Sequence, residues 1–341
     1  MTDVHWERYP LVASQSYARA WLTIQAQLGL APNTVAAYGR GLEEYLHYCD
    51  DLNLAPEAAT RATIAGYVQS MATRPSSHTG RIGLANATMQ QRLTAIRLYY
   101  DYLVEEEVRT HNPVKRGQYI PGRAFGGARE RGLIPHYRKL PWIPTDEEWQ
   151  TILETALHES LRNRLMLALA YDGALRREEL CALATGDIDP AHRLLNIRAE
   201  TTKTRQGRVV PYSVVSADLL AAYLRQRRAI SQNRGPLFLS TSRRNYGQPI
   251  TIWTWSKVVR KLALQAGIPE FSTHTPRHLC LTDLARADWD IHEIARFAGH
   301  RSTQTTLLYI HLSGRELAEK LASGMDHIHT WRIQILGDTT P

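Results

Sequence analysis

One C-terminal stretch is crowded with side chains that hold or move protons: His274, Arg277 and His278, then His300, then Tyr309. A guanidinium stays charged and offers forked donors that match phosphate oxygens. Imidazoles exchange protons near neutral pH, and a phenol becomes a nucleophile once its proton is removed. Such a set suits an anionic phosphorus centre better than a packed core. Two further places add to it. Arg176 precedes Glu179 in Ala174-Leu175-Arg176-Arg177-Glu178-Glu179-Leu180, and Lys203 opens the polar turn before Arg208, the only lysine between Lys139 and Lys257.

Each residue also has a plainer reading. Most tyrosines pack, and Glu179 reads as the carboxylate that holds Arg176, because arginines near a core are paired. His278 reads as structural support, and His311 likewise. His274 and His278 stand one helical turn apart, but no His-Glu-x-x-His word completes a zinc site, so no metal is expected. No Gly-x-x-x-x-Gly-Lys-Ser/Thr loop or carboxylate cluster for paired magnesium ions is found, and no cofactor is expected.

The elements that must position these groups follow from periodicity. At 341 residues and 43% apolar content the chain can build two cores. Residues 14–112 read as a helical bundle. Ser14 is placed as the cap of a helix to Leu28 and Asn33 as the cap of a second, with Val35, Tyr38, Leu42, Tyr45 and Cys49 on one stripe. Ile64, Val68 and Met71 mark a third helix; Met89, Leu93, Ile96, Tyr100 and Leu103 mark a fourth. Residues 114–142 break into Gly, Pro and Arg and read as a linker. Thr145 and Glu148 form a capping box that opens the second domain, 143–341. Leu194–Ile197 and Arg208–Pro211 flank a hairpin turn, and helices follow near 216–230, 253–266, 278–287 and 290–298, the last stopped by Gly299. The fold class is mainly α with a small sheet in the C-terminal domain.

Charge is uneven. The total is +8, yet residues 1–112 carry 9 Arg against 11 acidic groups, while residues 113–142 carry 7 basic residues and one Glu. A basic strap of this kind can follow a phosphate backbone. The cysteines Cys49, Cys181 and Cys280 show no Cys-x-x-Cys pairing and read as reduced thiols. No apolar run reaches the about 18 residues of a membrane span, and the first residues lack a signal pattern, so the expected location is cytoplasmic, with the nucleoid.

As an ordered set, these words resemble the tyrosine recombinase (phage integrase) family. Ala174-Leu175-Arg176-x-x-Glu179-Leu180 is similar to its first arginine box, although Gly173 stands one place early and Arg177 replaces an apolar residue. Lys203 resembles its hairpin lysine. His274, Arg277, His300 and Tyr309 resemble its second box and nucleophile, with Pro276 where an aliphatic residue is usual. Asn33–Tyr38 with Leu42 and Tyr45 resembles a helix of its N-terminal DNA-clamping domain.

The resemblance implies residues 1–113 as a SAM-like, core-binding DNA clamp, 114–142 as basic linker and 143–341 as the catalytic domain. It implies strand cutting and rejoining through a 3′-phosphotyrosyl bond on Tyr309. Arg176 and Arg277 would stabilise the charge on phosphorus, His300 would donate to a phosphate oxygen, His274 would be the candidate base, and Lys203 would protonate the leaving 5′-oxygen. It further implies double-stranded DNA carrying specific sites as the partner. A homotetramer, or a related recombinase partner, would assemble on that DNA through a C-terminal exchange helix around Gly314–Leu321. Lys115, Arg116, Arg205, Arg243, Arg244, Lys257 and Arg260 are candidate phosphate contacts; Trp253 and Trp255 read as packing or DNA-surface groups. The alternatives are type IB topoisomerase-like relaxation by the same chemistry and a catalytically silent DNA-binding protein.

Overall fold

The computed structural model describes residues 3–75, 82–114, 134, 140–202 and 204–312. The chain forms two compact units, Met1–Arg138 and Lys139–Pro341. Lys203, Lys115, Arg116, most of the linker and the segment around Gly314–Leu321 lie outside the described residues.

The first unit is helical: α1 (Pro10–Ser14), α2 (Ser16–Gln27), α3 (Pro32–Asp51), α4 (Arg61–Thr73) and α5 (Asn86–Glu105). The helix expected to be capped by Ser14 and to run to Leu28 is α2, whose cap is Gln15 and which the short α1 precedes. Ser14 ends α1, its hydroxyl donates to the carbonyl of Leu11 at 2.9 Å, and Gln15 takes an extended conformation that breaks the run. Asn33 is likewise inside α3, which starts at Pro32, where a missing N–H costs nothing. The apolar stripes meet as the sequence pattern requires, and Leu42, Leu46, Ile64, Leu93, Ile96 and Leu103 are buried in one core. The buried Glu43 carboxylate accepts from the backbone N–H groups of Leu11 at 3.0 Å and Val12 at 2.8 Å, tying α1 to α3.

In the second unit Thr145 and Glu148 form the reciprocal cap that opens α6 (Asp146–Ala156). Helices α7 (Leu161–Asp172) and α8 (Arg177–Cys181) follow, then β1 (Ile188–Asp189), β2 (Leu194–Ile197) and β3 (Arg208–Pro211). These strands make a three-stranded antiparallel sheet in sequence order, with Leu195 opposite Val210 and Ile197 opposite Arg208. The hairpin strands fall where the sequence pattern put them; β1 is an addition too short to leave a periodic signal. The last helices are α9 (Val214–Ile230), α10 (Ile252–Gln265), α11 (Thr275–Arg286), α12 (Ile291–Ala298) and α13 (Thr303–Leu312). Helix α11 begins a turn earlier than expected because Pro276 lies in its first turn, where its fixed φ suits a helix.

The core of this unit runs through Leu165, Leu169, Leu195, Val210, Leu220, Phe238, Trp255 and Phe271. A smaller apolar cluster of Ala174, Cys280, Leu281, Ile294, Ala298 and Tyr309 lies apart from it. Among the described residues no helix is long and apolar enough to cross a membrane.

Candidate active site

The loop before α8 makes the first part of the site. The chain leaves α7 through Gly173, and Ala174 takes φ +45°, a left-handed conformation rare for a side-chain-bearing residue. That turn presents the Ala174 carbonyl to one side and starts α8 with Arg176 at its N-cap. Glu179, 1% exposed, reaches back to accept from the Arg176 backbone N–H at 3.0 Å and from its Nη1 at 2.7 Å. Arg176 Nη2 then donates to the Gly299 carbonyl at 3.0 Å.

The Glu179 carboxylate holds a second arginine, one that the motif words did not single out. Arg208 on β3 donates to Glu179 Oε1 at 3.1 Å and Oε2 at 2.8 Å, and its Nε donates to the Phe297 carbonyl at 2.8 Å. Strand parity was the available signal. Arg208 shares the face of buried Val210, whereas Val209 is exposed, so the strand's alternation puts a charge inward. Buried between two guanidiniums, the Glu179 carboxyl is held down at about 2 despite the opposing cost of burial.

Arg277, on the first turn of α11, is 4% exposed. Its Nη1 donates to the Ala174 carbonyl, and Nη2 donates to the Ala298 carbonyl at 2.7 Å and to His300 Nε2 at 2.9 Å. Among the described residues it forms no ion pair. Burial first, then the charge of Arg176, lowers its pKa to about 10. Three guanidiniums, those of Arg176, Arg208 and Arg277, thus gather round one carboxylate.

His300 is placed by the left-handed Gly299 that ends α12. A guanidinium only donates, so His300 Nε2 must accept from Arg277, leaving Nδ1 to carry the proton and donate to Thr306 Oγ1 at 2.9 Å. The phosphate donor expected at His300 is therefore an acceptor for Arg277 in this arrangement. Burial and the nearby arginines push its pKa down to about 3, so the ring is neutral.

Tyr309, 3% exposed, stacks on His300 with centroids 6.0 Å and planes 7° apart. Its hydroxyl lies 2.9 Å from His278 Nδ1. Burial raises the phenol, while Arg277 and Arg176 pull the other way. His278 is half-buried, and burial, then His274 and Arg277, lower it to about 4. His274, at the exposed start of α11, has its ring 6.4 Å from that of His278, and among the described residues no hydrogen bond joins it to Tyr309.

Arg176, Arg277, His278, His300 and Tyr309 are therefore brought together with Glu179, and His274 borders them. Arg205, Arg243, Arg244, Lys257 and Arg260 are exposed, as a solvated or phosphate-facing charge must be. The two tryptophans part: Trp255 is a core residue at 1% exposure, whereas Trp253 is 70% exposed.

Comparison with known proteins accords with this architecture. The phage integrase family profile matches residues 144–316, and that of the phage integrase N-terminal SAM-like domain matches residues 20–107. The tyrosine recombinase XerD of Oceanobacillus iheyensis is 26% identical over 88% of this chain and 94% of its own length. The tyrosine recombinase XerC of Thermodesulfovibrio yellowstonii is 26% identical over 87% and 91%. Among solved structures, XerH bound to its difH substrate superposes with TM-score 0.64 at 19% identity, over 84% of this chain and 79% of that one. The Tn1549 transposon integrase with transposon right end DNA gives 0.65 at 16% identity, over 90% and 100%. Matched in both of its units, the chain belongs to the phage integrase family of tyrosine recombinases, enzymes that cut DNA at specific sites and rejoin it.

Proposed function

We propose that the chain recombines double-stranded DNA at specific sites, with Tyr309 attacking the scissile phosphorus and Arg176 and Arg277 holding its non-bridging oxygens. The observation that carries this reading is the buried excess of positive charge: Arg176 and Arg208 share the single carboxylate of Glu179, while the neighbouring Arg277 has backbone carbonyls and a neutral histidine as its hydrogen-bond partners among the described residues. A buried cation without a counterion is costly, and a phosphodiester would supply the missing charge where it develops most in the transition state.

His300 orients Arg277 and supports the Tyr309 ring, and His274 borders the phosphate. Lys203, which falls between β2 and β3 in the sequence, would be the acid for the departing 5′-oxygen, a task that suits an ammonium on a long side chain. Arg208 ties that hairpin to Glu179 and hence to Arg176. Because the phosphotyrosyl bond keeps the energy of the bond broken, a 5′-hydroxyl from another strand reverses the step without ATP.

Residues 1–113 would clamp DNA, 114–142 would strap along it, and 143–341 would cut. Arg205, Arg243, Arg244, Lys257 and Arg260, with Lys115 and Arg116, would contact backbone phosphates. A homotetramer on two sites in the cytoplasm, joined through the segment around Gly314–Leu321, completes the reading. The phenol at 3% exposure must be uncovered for attack, so cutting would follow assembly on DNA.

The test is a duplex nicked beside the cut site, so that the short 5′ fragment diffuses away and the covalent adduct accumulates. Wild-type chain should form an adduct that survives SDS; Tyr309→Phe should not. An adduct of equal yield from both would remove Tyr309 from the mechanism.

A further inference from the structure

We infer that His278 takes the proton from the Tyr309 hydroxyl as that oxygen attacks phosphorus, a catalytic role within the recombinase reading, on which it rests. The geometry is direct. Nδ1 of His278 is 2.9 Å from the phenol oxygen, the distance of a made hydrogen bond, whereas among the described residues no such bond joins His274 to that oxygen. The two residues are fixed to each other from both sides. His278 lies in the first half of α11, whose neighbouring residue Arg277 is pinned to the Ala174 and Ala298 carbonyls, and Tyr309 is stacked on His300. The rings of His278 and Tyr309 are 5.8 Å apart, so the bond is made between packed groups.

A phenol hydroxyl bonded to an imidazole nitrogen donates to it when that nitrogen is unprotonated. His278 is neutral at pH 7, since its pKa lies at about 4, and Nδ1 is then free to accept when Nε2 carries the ring proton. With the site empty of anion His278 is a weak base, and transfer is uphill. Behind burial and His274, part of that weakness comes from Arg277, whose positive charge a bound phosphodiester would offset. Arrival of substrate therefore strengthens the base beside the nucleophile, and an unoccupied site keeps its phenol protonated.

The step balances. The Tyr309 oxygen–phosphorus bond forms as the phenol proton passes to His278 Nδ1. The phosphorus–O5′ bond breaks, with the leaving oxygen protonated by a different group. On rejoining, a 5′-hydroxyl attacks and gives its proton to the group that protonated the first leaving oxygen, the phosphotyrosyl bond breaks, and His278 returns its proton to the phenolate.

Asparagine separates this role from mere support, because its carbonyl can accept the phenol hydrogen bond but cannot take the proton. Fragments of genomic DNA around the gene, each nicked once, would be screened for an SDS-resistant adduct with the wild-type chain. The selected duplex would then be used in single-turnover assays. His278→Asn should form adduct about 100- to 10,000-fold more slowly, the range lost with a general base. Gel-shift affinity for the same duplex should be unchanged. His278→Ala should be slow and partly restored by added imidazole, which guards against an Asn-specific folding defect.

A duplex with sulfur at the bridging 5′ position needs no proton on its leaving group. His278→Asn should stay slow on it. The titratable and charged groups facing His278 are His274 and Arg277 on its own helix, Tyr309 on α13 and His300 before it. The rising limb of the wild-type pH–rate profile should persist in His274→Gln and vanish in His278→Asn.

A His278→Asn rate within a few-fold of wild type overturns the assignment. So does full restoration by the 5′-sulfur substrate, which would put His278 on the leaving oxygen. A wild-type chain that forms no adduct with any fragment would instead bring down the recombinase reading itself.

Discussion

Both units bury tyrosines, and the contrast between them shows what makes a phenol a nucleophile. In the N-terminal unit Tyr100 donates to the Pro56 carbonyl at 2.8 Å, so its oxygen must accept from Tyr45, 2.6 Å away. That chain ends on a group that cannot take a proton, and burial raises both phenols. Tyr309 is buried as deeply, but its hydroxyl meets an imidazole and two guanidiniums oppose the cost of its ionisation. Burial is common to both. The difference lies in a neighbour able to receive the proton and a cationic field able to hold the charge left behind.

The strongest test of that contrast exchanges hydroxyl for hydrogen in each unit. Tyr309→Phe should abolish covalent adduct altogether, with folding retained by circular dichroism. Tyr100→Phe should leave the cleavage rate on saturating DNA unchanged. It should cost about 1–3 kcal/mol of stability by urea titration, because the Pro56 carbonyl loses its donor in a buried place. A cleavage defect in Tyr100→Phe would break the distinction.

Arginines sharpen it next. Arg109 donates to the Ala59 carbonyl at 2.8 Å, much as Arg277 donates to backbone carbonyls. Arg109→Lys should leave cleavage alone. Arg277→Lys should lower it about 100- to 1,000-fold, the loss expected when one preorganised donor to a developing charge is removed. An ammonium cannot span two carbonyls and a phosphate in one plane. Single-turnover rates on one duplex compare the two.

Ion pairs give the third test. Glu44 in the N-terminal unit pairs with Arg74 and Arg92, where Arg74 remains over a third exposed; Glu179 pairs with Arg208, whose side chain is 7% exposed. Arg74→Leu should cost under about 1 kcal/mol, and Arg208→Leu about 3–5 kcal/mol, because the second leaves a buried carboxylate short of a partner. The same carboxylate sets an acid limit. Its folded pKa of about 2 lies below the value of 4.5 for the free group. The stability it contributes is therefore complete above pH 4.5 and is lost as pH falls toward 2, by roughly 3 kcal/mol in all. Urea midpoints measured through that window should fall with acid more steeply in wild type than in Glu179→Gln.

How far the sequence reached follows the same physical line. Arg176, Arg277, His300 and Tyr309 were legible because their order and spacing carry information that no single residue has, and α12 was legible because Asp290, Glu293 and Gly299 mark both of its ends. The bond from His278 to Tyr309 was not, since it joins helices whose packing no local pattern specifies. Arg208 left only the faint signal of strand parity. Helix α1 was missed because its five residues are too few to carry a periodic apolar signal.

The smallest effect tests the turn that aims the site. Ala174 and Ala95 are both fully buried alanines, but Ala95 lies within α5 and Ala174 has φ +45°. Glycine in place of Ala95 should cost about 1.5–2 kcal/mol, from roughly 1 kcal/mol of helix propensity and about 0.8 kcal/mol of lost burial. At Ala174 the same loss of burial and the greater freedom of the unfolded chain oppose relief of a left-handed backbone worth about 1–2 kcal/mol. The change should fall within about 0.5 kcal/mol of zero, the residual expected when terms of these sizes cancel. Equal destabilisation at the two positions would mean that the turn before Arg176 is not strained. In that event the carbonyl of Ala174, which receives Arg277, would owe its aim to packing alone.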